Sequence, residues 1–110
     1  MKTITKNDAV YIAGPMSGHA DNNYPSFHFA EEHLVMKFGC EILNPARHPD
    51  GLAYVTYMRM AMEMIERATV LVMLPGYNHS TGATIELTVA RKSGIQVFLF
   101  NVPELIKMEQ

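Results

Sequence analysis

Val70-Leu71-Val72-Met73-Leu74-Pro75-Gly76 decides the fold. The run is continuously apolar, and a Pro-Gly pair ends it. That pattern predicts a strand covered on both faces, as strands inside parallel sheets are. Upstream, residues 53–67 carry Tyr54, Met58, Ala61, Met62 and Ile65 at helical spacing. A methionine stripe of this kind predicts core or subunit interface rather than a cofactor contact. Downstream, residues 81–93 predict a helix that Gly94 stops, and residues 95–100 predict another strand. Nearer the N-terminus, Val10-Tyr11-Ile12-Ala13 predicts a strand closed by Gly14-Pro15. Phe27, Ala30, Leu34 and Phe38 then recur at helical spacing, with Ser26 after Pro25 as the expected cap and Gly39 as the stop. Residues 40–43 predict a short strand ended by Asn44-Pro45. The tail, residues 102–110, is expected to form a helical turn or an oligomer contact.

Strands alternating with helices predict one α/β domain. It should be a flavodoxin- or Rossmann-like parallel sheet of four to five strands, with helices on both faces. Its 110 residues fit a single domain. A composition 48% hydrophobic and 18% charged is globular rather than disordered. The net charge of −2 and the lack of a basic stripe argue against duplex nucleic acid as a partner. A nucleoside or mononucleotide remains compatible, because backbone amides alone can hold one phosphate. The lone Cys40, in an apolar run, predicts a buried, reduced thiol. The polar start and the lack of a membrane-length apolar run point to a cytoplasmic protein without a membrane partner.

In open sheets of this kind ligands bind beyond the carboxyl ends of the strands. That rule selects three loops, residues 14–23, 44–51 and 75–82. The first carries Gly14-Pro15-Met16-Ser17-Gly18-His19. It fits a tight turn or an approach of backbone amides to an anion, but it is neither a dinucleotide fingerprint nor a P-loop. The third carries His79-Ser80-Thr81-Gly82, where Ser80 starts a helix. Ser80 either caps that helix or joins its free amides in holding an anion. Gly82 weakens the first turn, which suggests close backbone approach by a ligand or strand. Glu86 follows one turn later, and periodicity alone favours a solvated helix face for it. If Ile85 and Val89 face the sheet, its carboxylate would instead point to the strand ends or to a neighbouring subunit. His19, His28, His33, His48 and His79 have no metal-site spacing, so no metal is expected.

Taken together, Tyr11-Ile12-Ala13-Gly14-Pro15-Met16-Ser17-Gly18, Asn44-Pro45-Ala46, Leu74-Pro75-Gly76-Tyr77 and Ser80-Thr81-Gly82-Ala83-Thr84-Ile85-Glu86 resemble a family. It is a group of small phage and bacterial proteins similar to nucleoside 2-deoxyribosyltransferases and 2′-deoxynucleoside 5′-monophosphate N-glycosidases. The resemblance runs from about Val10 to Phe100. It implies that Glu86 is a nucleophile at the anomeric carbon and that Tyr11 orients it. It implies that Gly14, Ser17, Gly18 and Ser80 hold a 5′-phosphate, and it places Asn44, Pro75 and Gly82 at the substrate site. It implies a nucleoside or nucleotide ligand, no metal or organic cofactor, and a homodimer or larger assembly. One position departs from the pattern. Relatives carry an Asp in the helix before the central strand, and this chain has Ala61 there, with Thr69 where a further acid is usual. The departure implies an alternative, a nucleotide-binding protein that does not cleave its ligand, unless Asp50 or Glu63 substitutes for the missing acid.

Overall fold

The computed structural model describes residues 3–101 and 104–108. In chain order its elements are β1 (Ala9–Ala13), α1 (Tyr24–Phe38), β2 (Glu41–Leu43), α2 (Tyr54–Arg67), β3 (Val70–Met73), α3 (Thr81–Lys92), β4 (Gln96–Asn101) and β5 (Glu104–Lys107). They form an α/β domain on one sheet with strand order β2-β1-β3-β4-β5. The first four strands are parallel, and β5 returns antiparallel to β4.

The order of strands fixes the layers. The chain steps from β1 outward to β2, then back across β1 to β3 and on to β4. Right-handed crossovers in opposite directions put α1 on one face and α2 with α3 on the other. Side chains alternate along each strand to serve both layers. Val10 and Ile12 pack with Val70, Val72 and the α1 residues Phe27, Ala30 and Leu34. Tyr11 and Ala13 pack with Leu71, Met73 and the residues Ala61, Ile65, Leu87 and Ala90 of α2 and α3. Every residue of β3 is buried, as its continuous apolar run requires. Cys40 is a buried thiol beside the α1 layer, and burial pushes its pKa up. Met62 and Met64 pack against the α2–α3 layer.

Three expectations need correction. Helix α1 starts at Tyr24, ahead of the expected cap, and Ser26 lies exposed in its first turn. The entry is made by Asp21, Asn22 and Asn23, all left-handed at φ 52, 51 and 61. Pro25 follows in the first turn, where its missing N–H costs nothing. At the other end Gly39 closes the helix at φ 66, as expected. The tail is a strand rather than a helical turn. Phe100 pairs with Leu105, and the Met108 N–H donates to the Val97 carbonyl at 2.9 Å. The fifth strand therefore breaks the all-parallel pattern, and residues 102, 103, 109 and 110 lie outside the described ones. Finally, β2 begins at Glu41 and β4 at Gln96, each one residue later than expected.

Among the described residues no helix is long and apolar enough to cross a membrane.

Candidate functional site

The switch in strand order falls between β1 and β3, because the chain leaves β1 for β2 on one side and later reaches β3 on the other. Loops after these strands diverge and leave a cleft, as the general rule for such sheets requires. Here the cleft is a cavity of about 610 Å³. That volume is within the range of small-molecule sites.

At its floor, Tyr11 projects from the middle of β1 toward Glu86 of α3. The Tyr11 hydroxyl donates to the Glu86 Oε2 at 2.5 Å. Glu86 is only 7% exposed and still lines the cavity. Burial pushes its pKa from 4.5 up to about 7, and the bond from Tyr11 opposes that rise. Burial, and then the neighbouring carboxylate, pushes Tyr11 well above its ordinary value, so the phenol stays protonated and donates. The solvated-face expectation for Glu86 is therefore wrong. Helix α3 lays Ala83, Glu86, Leu87 and Ala90 on its buried side, while Ile85 is 42% exposed. Ala83 and Ala90 flank Glu86 on that side at i−3 and i+4, and its carboxylate meets Tyr11.

The first loop enters along one wall. Gly14 is required for packing: a Cβ there would sit 2.8 Å from the Leu74 Cβ. The chain ends of β1 and β3 meet at this point, where the Leu74 N–H donates to the Ala13 carbonyl at 2.8 Å. Gly14→Ala is expected to cost roughly 1–3 kcal/mol by overpacking, measured by thermal or urea unfolding. Ser17, His19 and Asn22 line the cavity farther along. The left-handed turn at residues 21–23 is held by Asn23, whose Nδ2 donates to the Pro15 carbonyl at 2.8 Å. Left-handed backbone costs an ordinary residue about 1–2 kcal/mol, and Asn and Asp less, because their side chains can bond locally.

The third loop supplies the opposite wall. Ser80 caps α3, and its Oγ accepts from the Ala83 N–H at 3.2 Å. The cap leaves the Thr81 and Gly82 amides without helical partners, at the positive end of the helix dipole. Both residues line the cavity. A Cβ on Gly82 would meet Tyr54 Oη and Met58 Sδ at 3.6 and 3.7 Å, ordinary contacts, so no strand of the fold crowds this glycine.

The second loop contributes Pro45 and His48, and α2 contributes Tyr54, Tyr57, Met58 and Ala61. Part of the expected methionine stripe is thus cavity wall rather than core. Burial holds the His48 imidazole below the ordinary histidine range. Tyr57 ties this loop down: its hydroxyl donates to the Pro49 carbonyl at 2.6 Å and accepts from the Leu52 N–H at 3.3 Å.

The cavity brings together Tyr11, Gly14, Ser17, Ser80, Gly82 and Glu86 of the residues expected at the site. It does not include Gly18, Asn44 or Pro75 among its walls. Gly18 makes a turn at φ 83, and Pro75 is exposed. Asn44 is buried, with its Oδ1 accepting from the Ala46 N–H and its Nδ2 donating to Glu31, so its side chain braces the second loop against α1. Asp50 and Glu63 do not line the cavity either. Asp50 accepts from the Tyr24 hydroxyl at 2.8 Å, and Glu63 is exposed. Neither joins Ala61 in the cavity wall. Sequence reasoning missed Asn22, Tyr24, His48 and Tyr57. For Tyr57 the signal was its spacing, three residues after Tyr54 and four before Ala61 on one side of α2. For the others the only signal was their place in or beside the selected loops. Among the described residues no group of three His, Cys, Asp or Glu is placed to hold a metal ion.

Comparison with other proteins agrees with this architecture. A crystal structure of a conserved protein from Enterococcus faecalis V583 matches with a TM-score of 0.64 at 23% identity, over 84% of this chain and 62% of that one. At that identity the likeness shows the fold alone. The chain spans less than two thirds of that protein. No curated protein matches. The family described as "Domain of unknown function (DUF4406)" matches residues 8–99, a span that runs from the start of β1 into β4 and takes in every cavity-lining residue. The chain belongs to the DUF4406 family.

Proposed function

We propose that the protein cleaves or transfers at the N-glycosidic bond of a nucleoside or nucleoside 5′-monophosphate, with Glu86 as nucleophile. The observation that carries this is the Tyr11–Glu86 pair, a buried carboxylate at the floor of a nucleotide-sized cavity, held by a phenol that cannot compete for its proton. A Glu86 oxygen would bond to the anomeric carbon as the glycosidic bond breaks. The bonding pair leaves with the base, which takes up a proton. Water, or the nitrogen of a second base, then attacks the same carbon and frees the carboxylate. This chemistry needs no metal or organic cofactor. Ser17, the Ser80 hydroxyl and the Thr81 and Gly82 amides supply donors for a phosphate at the other end of the ligand. Exposed Tyr54, Val55 and Ile85, on the two helices flanking the cavity, support a homodimer or larger assembly.

A second reading, binding without cleavage, is favoured by Ala61. It lines the cavity as a methyl group, where the resemblance to deoxyribosyltransferases implies an acid. General acid help is typically worth roughly 10²- to 10⁴-fold, so turnover without it would be slow. Incubating the protein with the common deoxynucleosides and their monophosphates, and measuring free base, separates the two. Base release that disappears in Glu86→Ala is the expected result. A raised melting temperature with no release would replace it by the binding reading.

A further inference from the structure

The first loop carries a polar side chain whose placement neither the carboxylate chemistry nor the phosphate donors explain. Asn22 sits in the middle of three successive left-handed residues, Asp21, Asn22 and Asn23, and it lines the cavity. Strained backbone of this kind persists where the surroundings over-determine it, and it clusters at ligand clamps. The surroundings are visible. Asn23 is bonded to the Pro15 carbonyl, so the turn is anchored on its C-terminal side. The Tyr24 hydroxyl donates to Asp50 Oδ1 at 2.8 Å and is itself approached by the Asn22 amide. Asn22, Tyr24 and Asp50 thus come together between the first and second loops. The Asn22 amide carries both donor and acceptor groups that a ligand could use. The same cavity is lined by Tyr24, Tyr54, Tyr57 and Met58. Aromatic side chains and an amide in one cavity suit a planar ring with a donor next to an acceptor on its edge.

We propose that Asn22 reads the base: its side-chain amide, aimed by the left-handed turn and by Tyr24, pairs with the polar edge of a nitrogen heterocycle held between the cavity's aromatic walls. Asn22 is then a binding and specificity residue, separate from the carboxylate chemistry. The assignment depends on the cavity taking a base-bearing ligand. It does not depend on cleavage.

Glycine separates the structural role of this position from the binding role. Asn22→Gly keeps the left-handed backbone at no steric cost and removes the amide, whereas Asn22→Ala strains the turn. Binding is measured by calorimetry in a Glu86→Gln background that prevents turnover. The probes are the four common deoxynucleoside monophosphates, with 2-deoxyribose 5-phosphate as the baseless control. Asn22→Gly should melt no lower than its parent and bind the preferred nucleotide about five- to fifteenfold more weakly, with the control unchanged. Asn22→Ala should lose the same affinity and also melt lower. Unchanged nucleotide affinity in Asn22→Gly would overturn the assignment, as would an equal loss for the baseless control. If the Asn22-intact protein binds no nucleotide at all, the base-bearing ligand itself is refuted, and this assignment with it.

Discussion

Glu86→Gln is expected to yield a protein that is more stable than its parent at pH 8 and releases no base. The stability gain follows from the proton that Glu86 holds when folded. Its carboxyl has a pKa near 7 in the folded chain against an ordinary value of 4.5. The folded state therefore binds this proton more tightly than the unfolded state does. That contribution is complete below about pH 4.5 and is lost as pH rises through 7, on the order of 3 kcal/mol in all. Glutamine does not titrate, fills nearly the same volume and still accepts from the Tyr11 hydroxyl. The difference between variant and parent should thus be near zero at pH 4 and reach about 3 kcal/mol at pH 8. For a domain of this size that is a rise of roughly 10 °C or more in melting temperature. Calorimetric melts of both proteins across pH 4–8 check it, and equal melting curves at all pH values would refute it. The same substitution removes the nucleophile we propose, so base release should fall at least roughly 10³-fold. Gain in stability with loss of chemistry is the signature of a carboxylate held for function in a place that would be better filled by a neutral group.

Tyr11→Phe is expected to displace the pH profile of base release. Attack requires the ionised carboxylate, so kcat/KM in the parent should rise with pH and reach half its plateau near pH 7. The hydrogen bond from Tyr11 favours the charged form of Glu86 and opposes the effect of burial. Removing the hydroxyl takes from a buried carboxylate the hydrogen-bond donor that favours its charged form. Its pKa should move further up, and the rate at pH 7 should fall about tenfold for each unit of that displacement. Activity should recover partly at pH 9. A profile with the parent's midpoint and a uniformly lower plateau would mean that Tyr11 contacts substrate instead of tuning Glu86.

The sheet was legible because its signals were strong and local. The run from Val70 to Leu74 could only be a strand buried on both sides, and Gly39 stands where a helix must turn left-handed. The strand β5 was not legible. Only Leu105 of its four residues is half-buried rather than exposed in a way that breaks alternation, and β4 supplies the pairing that makes it a strand. The start of α1 was hidden for a related reason. Ser26 has the chemistry of a cap, but the helix is entered through the left-handed residues Asp21, Asn22 and Asn23, and a bond from Asn23 to the Pro15 carbonyl holds that turn. Glu86 teaches the most. Periodicity alone set its carboxylate on a solvated face, and the alternative that aimed it at the strand ends took Ile85 and Val89 as the sheet-facing pair, although Ile85 is exposed. The true stripe runs through Ala83, Leu87 and Ala90, and Glu86 belongs to it. Two alanines flanking an acid at i−3 and i+4 were the available signal. The loops were located by the rule for switch points, but which of their side chains reach the cavity depends on bonds such as those that occupy Asn44 and Asp50.

The most direct measurement is the titration of the Glu86 side-chain carboxyl by carbon NMR, with and without a deoxynucleoside monophosphate. A midpoint near pH 7 that shifts when the nucleotide is added is the result expected of a buried acid sharing a cavity with its ligand. A midpoint near 4.5, indifferent to the nucleotide, would contradict it.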